Sequence, residues 1–201
     1  MLIDSHCHID FPEFSEGVAP LLANMRDAGV THALCVSVNL EHLPRVLAVA
    51  DAHPNILASV GVHPDHEEAS EPDEAELLKW AAHPKVVAIG ETGLDYYRLD
   101  RAAVDWQRQR FRTHIRAART CGKPLIIHTR NAAEDTLSIM REEGADEAGG
   151  VMHCFTESQE VADAALTMGF YISFSGIVTF KNAKALKAVA AQVPLDRMLV
   201  E

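Results

Sequence analysis

Two histidines one residue apart, His6 and His8, stand near the start of the chain in Asp4-Ser5-His6-Cys7-His8. In an extended strand alternate side chains share a face, so both imidazoles project one way and Cys7 the other. Paired imidazoles at a strand end make a bidentate grip for a metal ion. Three later apolar runs each finish in one metal-competent side chain: Ala88-Ile89-Gly90-Glu91, Ile126-Ile127-His128 and Val151-Met152-His153. A lone His-x-His is weak evidence, because many are accidental. Together, His6, His8, Glu91, His128 and His153 read as one metal site. Imidazole with carboxylate suits zinc, manganese, iron or cobalt, whereas magnesium prefers oxygen ligands. Glu91 has two oxygens and can bridge two cations about 3.5–4 Å apart, the separation found in two-metal hydrolases.

Positioning these groups requires a repeating scaffold, and the sequence supplies its pattern. Short β-branched runs are expected to be strands at 2–9, 30–38, 56–62, 86–91, 125–128, 150–153 and 171–174. Amphipathic stretches between them are expected to be helices at 16–28, 40–52, 73–82, 101–120, 132–143, 158–168 and 183–192. Gly29, Gly122, Gly144 and Gly169 stand where helices should end. Asn39 can cap the second helix, with Pro44 tolerated in its first turns. The fourth helix carries Val104, Phe111, Ile115 and Ala118 on one face. Arg108, Arg112, Arg116 and Arg119 lie on the other, which is expected to face solvent.

Strands alternating with helices of this length form parallel βαβ units. The expected fold is α/β, a TIM-type (β/α)8 barrel made by one domain spanning residues 1–201. Ala52-His53-Pro54 and Ala82-His83-Pro84 are matching turns and are placed at the barrel floor. Barrel chemistry sits at the opposite rim, so His53 and His83 are not expected to be ligands. An eighth strand begins at Arg197-Met198-Leu199-Val200-Glu201. A complete barrel usually takes about 250 residues, so the expectation is a barrel truncated within that strand.

The bulk composition fits such a domain. Of 201 residues, 48% are hydrophobic and 23% charged, enough to build a core and too few charges for disorder. The net charge of -11 argues against gripping long nucleic acid over the whole surface. A polyanionic substrate must then be held at a local cationic site, where bound metal supplies much of the charge. Cys7, Cys35, Cys121 and Cys154 form no CxxC pair and read as reduced thiols. The first residues lack a signal peptide's basic region, and no apolar run approaches the roughly 18 residues needed to cross a bilayer. The expectation is a cytoplasmic protein without a membrane partner. Oligomeric state leaves no trace in the sequence.

The segments DSHCHID, GVHP, GETGLDYY, IHTR, HCFTE and FYISFSGIVTF resemble TatD-type metal-dependent hydrolases along the whole chain. The last of them is most similar to the YcfH-like branch. The resemblance implies a two-metal barrel of the amidohydrolase superfamily. It implies that His6, His8 and Glu91 hold one cation and that Glu91, His128 and His153 hold the other, with Mg, Mn or Zn as the ion. It also implies deoxyribonuclease activity, with DNA shortened from its ends. Family chains continue past Val200-Glu201 with Thr-Asp, whose Asp is implied to be a ligand and the general base. Glu201 is not expected to replace it, on the reading that an adjacent strand residue faces the other way. Without that Asp, this chain is expected to bind its first cation weakly and lack normal activity.

Further candidates lie on the rim. His63, ending Gly61-Val62-His63-Pro64, reads as a substrate contact or a structural loop histidine. In Gly93-Leu94-Asp95-Tyr96-Tyr97-Arg98, a tyrosine such as Tyr96 could stack a base or pack the loop, and Arg98 could pair with phosphate. Asp95 could orient a ligand histidine from behind. Arg130, two residues past His128, reads as a phosphate clamp or a surface arginine. The absence of a Gly-x-Ser-x-Gly elbow, a Walker loop and a GxGxxG motif argues against serine-nucleophile, nucleotide-triphosphate and dinucleotide chemistry. Two other readings stay open: metal-dependent cleavage of an amide, ester or lactone, and a non-catalytic metal-binding scaffold. The lack of a strand-end lysine weakens the amide version.

Overall fold

The computed structural model describes residues 2–12, 14, 17–97, 99 and 103–201. Eight strands run in sequence order: β1 (Leu2–Cys7), β2 (Val30–Cys35), β3 (Ile56–Val60), β4 (Val86–Asp95), β5 (Leu125–Arg130), β6 (Gly150–Met152), β7 (Tyr171–Phe174) and β8 (Met198–Val200). Between them lie α1 (Val18–Asp27), α2 (Leu43–Ala52), α3 (Glu74–Ala81), α4 (Asp105–Cys121), α5 (Ala133–Glu142), α6 (Gln159–Thr167) and α7 (Lys184–Ala190). Each strand pairs in parallel with the next, in the order β1-β2-β3-β4-β5-β6-β7-β8. The Ser5 hydroxyl donates to the Val200 carbonyl at 3.1 Å, bringing β1 and β8 together so that the barrel is nearly closed.

Local signals explain most boundaries. Asp73 caps α3 by accepting from the Glu76 amide at 2.8 Å. Gly29, Gly122, Gly144 and Gly169 all take positive φ at or just past helix ends. The second helix starts later than expected, at Leu43. Asn39 instead accepts from the His42 amide at 2.8 Å and closes a turn ahead of it. The fourth helical pattern was expected from residue 101, which lies outside the described residues; α4 begins at Asp105. His53 and His83 end their helices beside the following turns, as expected for floor positions.

Most of the core lies between the sheet and its helices, with Phe111, Ile115, Leu125, Ile127 and Phe170 among its buried members. A separate cluster of Val36, Ala88 and Ile126, flanked by Leu34 and Val151, fills the barrel interior. Ile126 lies two residues before His128, and Val151 two before His153. Period-two alternation therefore sets those imidazoles above this apolar plug. The arginine face of α4 is less solvated than expected. Arg108 pairs with Asp135 at 3.1 Å, Arg112 with Glu143 at 2.9 Å and Arg119 with Glu147 at 2.7 Å, tying α4 to α5 and the turn after it.

The inward side of α4 carries a buried histidine. His114 donates through Nδ1 to the Arg110 carbonyl at 2.8 Å, and its Nε2 accepts from the Val62 amide at 3.1 Å. Burial pushes its imidazolium pKa down to about 4. An unfolded histidine titrates near 6.5. The neutral ring thus adds stability that is complete above pH 6.5 and lost as pH falls toward 4. The difference corresponds to about 3 kcal/mol. Thermal melts from pH 7 to 4 should show the unmodified chain losing more stability than a His114→Gln variant. Identical pH slopes for the two would contradict this assignment.

Candidate metal centre

The barrel mouth gathers the strand-end histidines around one carboxylate. Glu91 is only 3% exposed and lies on β4, where two glycines let neighbouring backbones come close. A Cβ at Gly90 would sit 2.6 Å from the Ile126 carbonyl, and one at Gly93 would sit 2.0 Å from the His128 carbonyl. Both glycines also hold positive φ. Thus β4 presses against β5 at the level where Glu91 and His128 must meet.

The two Glu91 oxygens divide the imidazoles into two sets. Oε2 lies 3.2 Å from His6 Nε2 and 4.0 Å from His8 Nε2. Oε1 lies 3.2 Å from His63 Nε2, 3.2 Å from His128 Nδ1 and 3.4 Å from His153 Nε2. Among the described residues, His6, His8 and Glu91 offer donor atoms within 4.8 Å of one another, and so do His63, Glu91 and His128. His6, His153 and Glu201 form a third such group. The five residues expected to converge from the sequence do so, and His63 joins them as a near neighbour of Glu91.

Most of these rings are held from behind. His8 donates through Nδ1 to the Val36 carbonyl at 3.0 Å. His128 Nε2 meets Asp95 at 3.1 Å, the orienting contact expected of that aspartate. His63 Nδ1 meets Asp65. His153 Nδ1 meets Glu201 Oε2 at 2.7 Å. Such outer hydrogen bonds fix which nitrogen faces inward. Glu201 thus faces the interior, contrary to the sequence expectation. It lies two residues past Leu199, which lines the interior below, and alternation puts both on the same side.

The electrostatics call for positive charge. Burial by itself would raise the Glu91 carboxyl pKa, but His128, His6 and His63 overcome that and hold it well below the ordinary value. Burial would lower His63, yet Asp65 and Glu91 raise it to about 10. His128 is likewise lowered by burial and raised on balance by Asp95 and Glu91. A buried carboxylate with this surround is stable only beside a cation, either imidazolium or metal. The buried His6 Nδ1 and Glu201 Oε1 atoms have no hydrogen-bond partner among the described residues. The imidazole–carboxylate donor set therefore fits a divalent ion.

The mouth opens into a cavity of ≈1150 Å³ whose walls include Phe11, Arg45, His66, Arg130 and Ile177. Arg130 lies on this rim with its guanidinium 3.6 Å from the centre of the Tyr97 ring. Of the two readings left open for Tyr96, stacking a base or packing the loop, the geometry agrees with packing. Tyr96 is 8% exposed, and its hydroxyl donates to Asp135 at 2.8 Å, so it packs toward α5. The half-exposed ring at the rim is its neighbour Tyr97. Arg98 lies outside the described residues. Asp65 was missed as a partner of His63, although its place two residues on, across Pro64, is a local signal that could have found it.

The chain matches the family model described as TatD related DNase over residues 3–201. It is 45% identical over 204 residues to an Escherichia coli K12 protein named uncharacterized metal-dependent hydrolase YcfH, covering 100% of this chain and 76% of that one. A relative from Edwardsiella piscicida, 31% identical over 203 residues with 100% and 78% covered, is named 3'-5' ssDNA/RNA exonuclease TatD. The solved structure of YjjV, a TatD homologue from Escherichia coli K12, is similar with a TM-score of 0.90 at 29% identity, covering 100% of this chain and 78% of that one.

The outer-shell geometry yields a test. Asp95→Asn should weaken Mn2+ binding by roughly 10–100-fold in calorimetric titration, because the His128 ring loses its orienting carboxylate. Unchanged affinity would remove Asp95 from that role.

Proposed function

The chain belongs to the TatD family of metal-dependent hydrolases, and on that premise we propose that it is a two-cation phosphodiesterase that shortens DNA from its ends. The observation that carries this reading is the Glu91 carboxylate, with one oxygen toward His6 and His8 and the other toward His63, His128 and His153. Glu91 so placed would help to hold two ions. His6 and His8 would hold one, and His128 and His153 the other, as Mg, Mn or Zn. When bound, the pair would lower the pKa of water toward neutrality and offset negative charge growing on a phosphoryl group. The Edwardsiella relative's name supports nucleic acid as the substrate class.

The chain's own side chains then have distinct tasks. Asp95 and Glu201 keep His128 and His153 turned toward Glu91. His63, beside Glu91 and backed by Asp65, contacts a phosphoryl oxygen of the substrate. Arg130 on the rim pairs with a flanking phosphate. The acidic net charge of -11 confines anion binding to this mouth.

The test is hydrolysis of end-labelled single-stranded DNA with Mg2+, Mn2+ or Zn2+. This chain is compared with variants carrying His6→Ala or Glu91→Gln. The chain should release nucleotides only with a divalent cation, and His6→Ala, Glu91→Gln and chelator should each remove most of that activity. Activity on amides, esters or lactones with none on DNA would favour a carbonyl hydrolase. Cation binding without hydrolysis of either class would favour a scaffold.

A further inference from the structure

Three polar side chains on α4 are buried beneath the mouth: Gln107 and His114 at 0% exposure and Arg110 at 2%. Their spacing of three and four residues puts them on one stripe of the helix. The stripe faces main-chain groups of the segment after β3 and of the end of β4. His114 accepts from the Val62 amide at 3.1 Å. Arg110 donates to the His63 carbonyl at 2.9 Å and to the His66 carbonyl at 3.0 Å. Gln107 donates to the Pro64 carbonyl at 2.8 Å and to the Asp95 carbonyl at 3.1 Å, and accepts from the Asp95 amide at 2.9 Å. The Arg110 guanidinium is itself clamped by Glu71, at 2.9 and 2.5 Å.

A chain leaving a barrel strand has main-chain groups without ladder partners, and burying them unpaired costs stability. Stability alone could come from water or a tighter turn. The stripe does something more specific, because the groups it holds belong to His63 and Asp95. One of these faces Glu91 and the other orients His128. By contrast, among the described residues no hydrogen bond from the stripe reaches β1, which carries His6.

We propose that Arg110 is a positioning residue for His63: its planar fork holds the carbonyls of His63 and His66 and so fixes where the His63 imidazole meets Glu91. Gln107 does the same for Asp95. The outer helix α4 thereby sets one half of the mouth while the other half rests on β1. This deepens the hydrolase reading above, and rests on it for the role of His63. The position of the ring itself can be measured without turnover.

The experiment is long-range 1H–15N correlation of the histidine rings in metal-free protein. It compares the unmodified chain with Arg110→Met, Arg110→Lys and, as a control on the same helix, Arg116→Met. Arg110→Met should shift or broaden the His63 ring signals and leave those of His6 and His8 in place. Arg110→Lys should give a smaller displacement, since an ammonium cannot hold both carbonyls in one plane. Arg116→Met should move none of them. Unchanged His63 signals in folded Arg110→Met would overturn the proposal, as would equal displacement of every ring. If Arg110→Met does not fold, the Lys variant decides by the same criterion. Because neither cation nor DNA is present, failure here is separate from failure of the nuclease assay.

Discussion

A carboxylate cannot remain charged in a protein interior unless positive charge or strong donors stand against it. Glu91 is buried to 3% exposure at the centre of the mouth, and each neighbouring feature answers that demand. Imidazoles from β1, β5 and the segments after β3 and β6 turn a nitrogen toward its oxygens. Carboxylates or a carbonyl stand behind four of the rings and strengthen them as donors. A divalent ion satisfies the same requirement without protonating any of them. The arrangement is therefore suited both to holding cations and to keeping its shape around them.

The barrel makes this convergence possible. Parallel strands bring residues distant in sequence to one rim, and alternation leaves the plug of Val36, Ala88 and Ile126 directly beneath. The plug fixes the depth of the donor ring. The glycines of β4 fix its width, since a methyl group at Gly93 would collide with the His128 carbonyl. On the outside, the ion pairs from α4 to α5 are individually worth little, on the order of 0–1 kcal/mol. The buried stripe on the inward side of the same helix is different in kind, because its loss leaves main-chain groups unpaired in the interior.

Much of this was legible in the sequence. The strand–helix alternation, the glycines at helix ends and the His-x-His pair are all local patterns, with periods fixed by strand and helix geometry. The convergence of His6, His8, Glu91, His128 and His153 followed once the runs ending in them were taken as parallel strands of one barrel. The family motifs in GETGLDYY and HCFTE added the chemistry. The arginines of α4 were legible as an outward face, but their partners on α5 were not.

Tertiary structure decided what depends on distances between elements. Tyr96 and Tyr97 are interchangeable in sequence, yet packing against α5 buries the first and leaves the second half-exposed. Glu201 was assigned the wrong face until its contact with His153 placed it. Gln107, Arg110 and His114 look like ordinary polar positions of an amphipathic helix. Their function depends on which backbone lies opposite, a relation set by the packing of α4 against β4 and the segment after β3. Sequence by itself determined which groups share a strand face, because that follows from backbone periodicity. Only the closed fold decided which carbonyl, carboxylate or ring each side chain meets, because those encounters join residues that no local period relates.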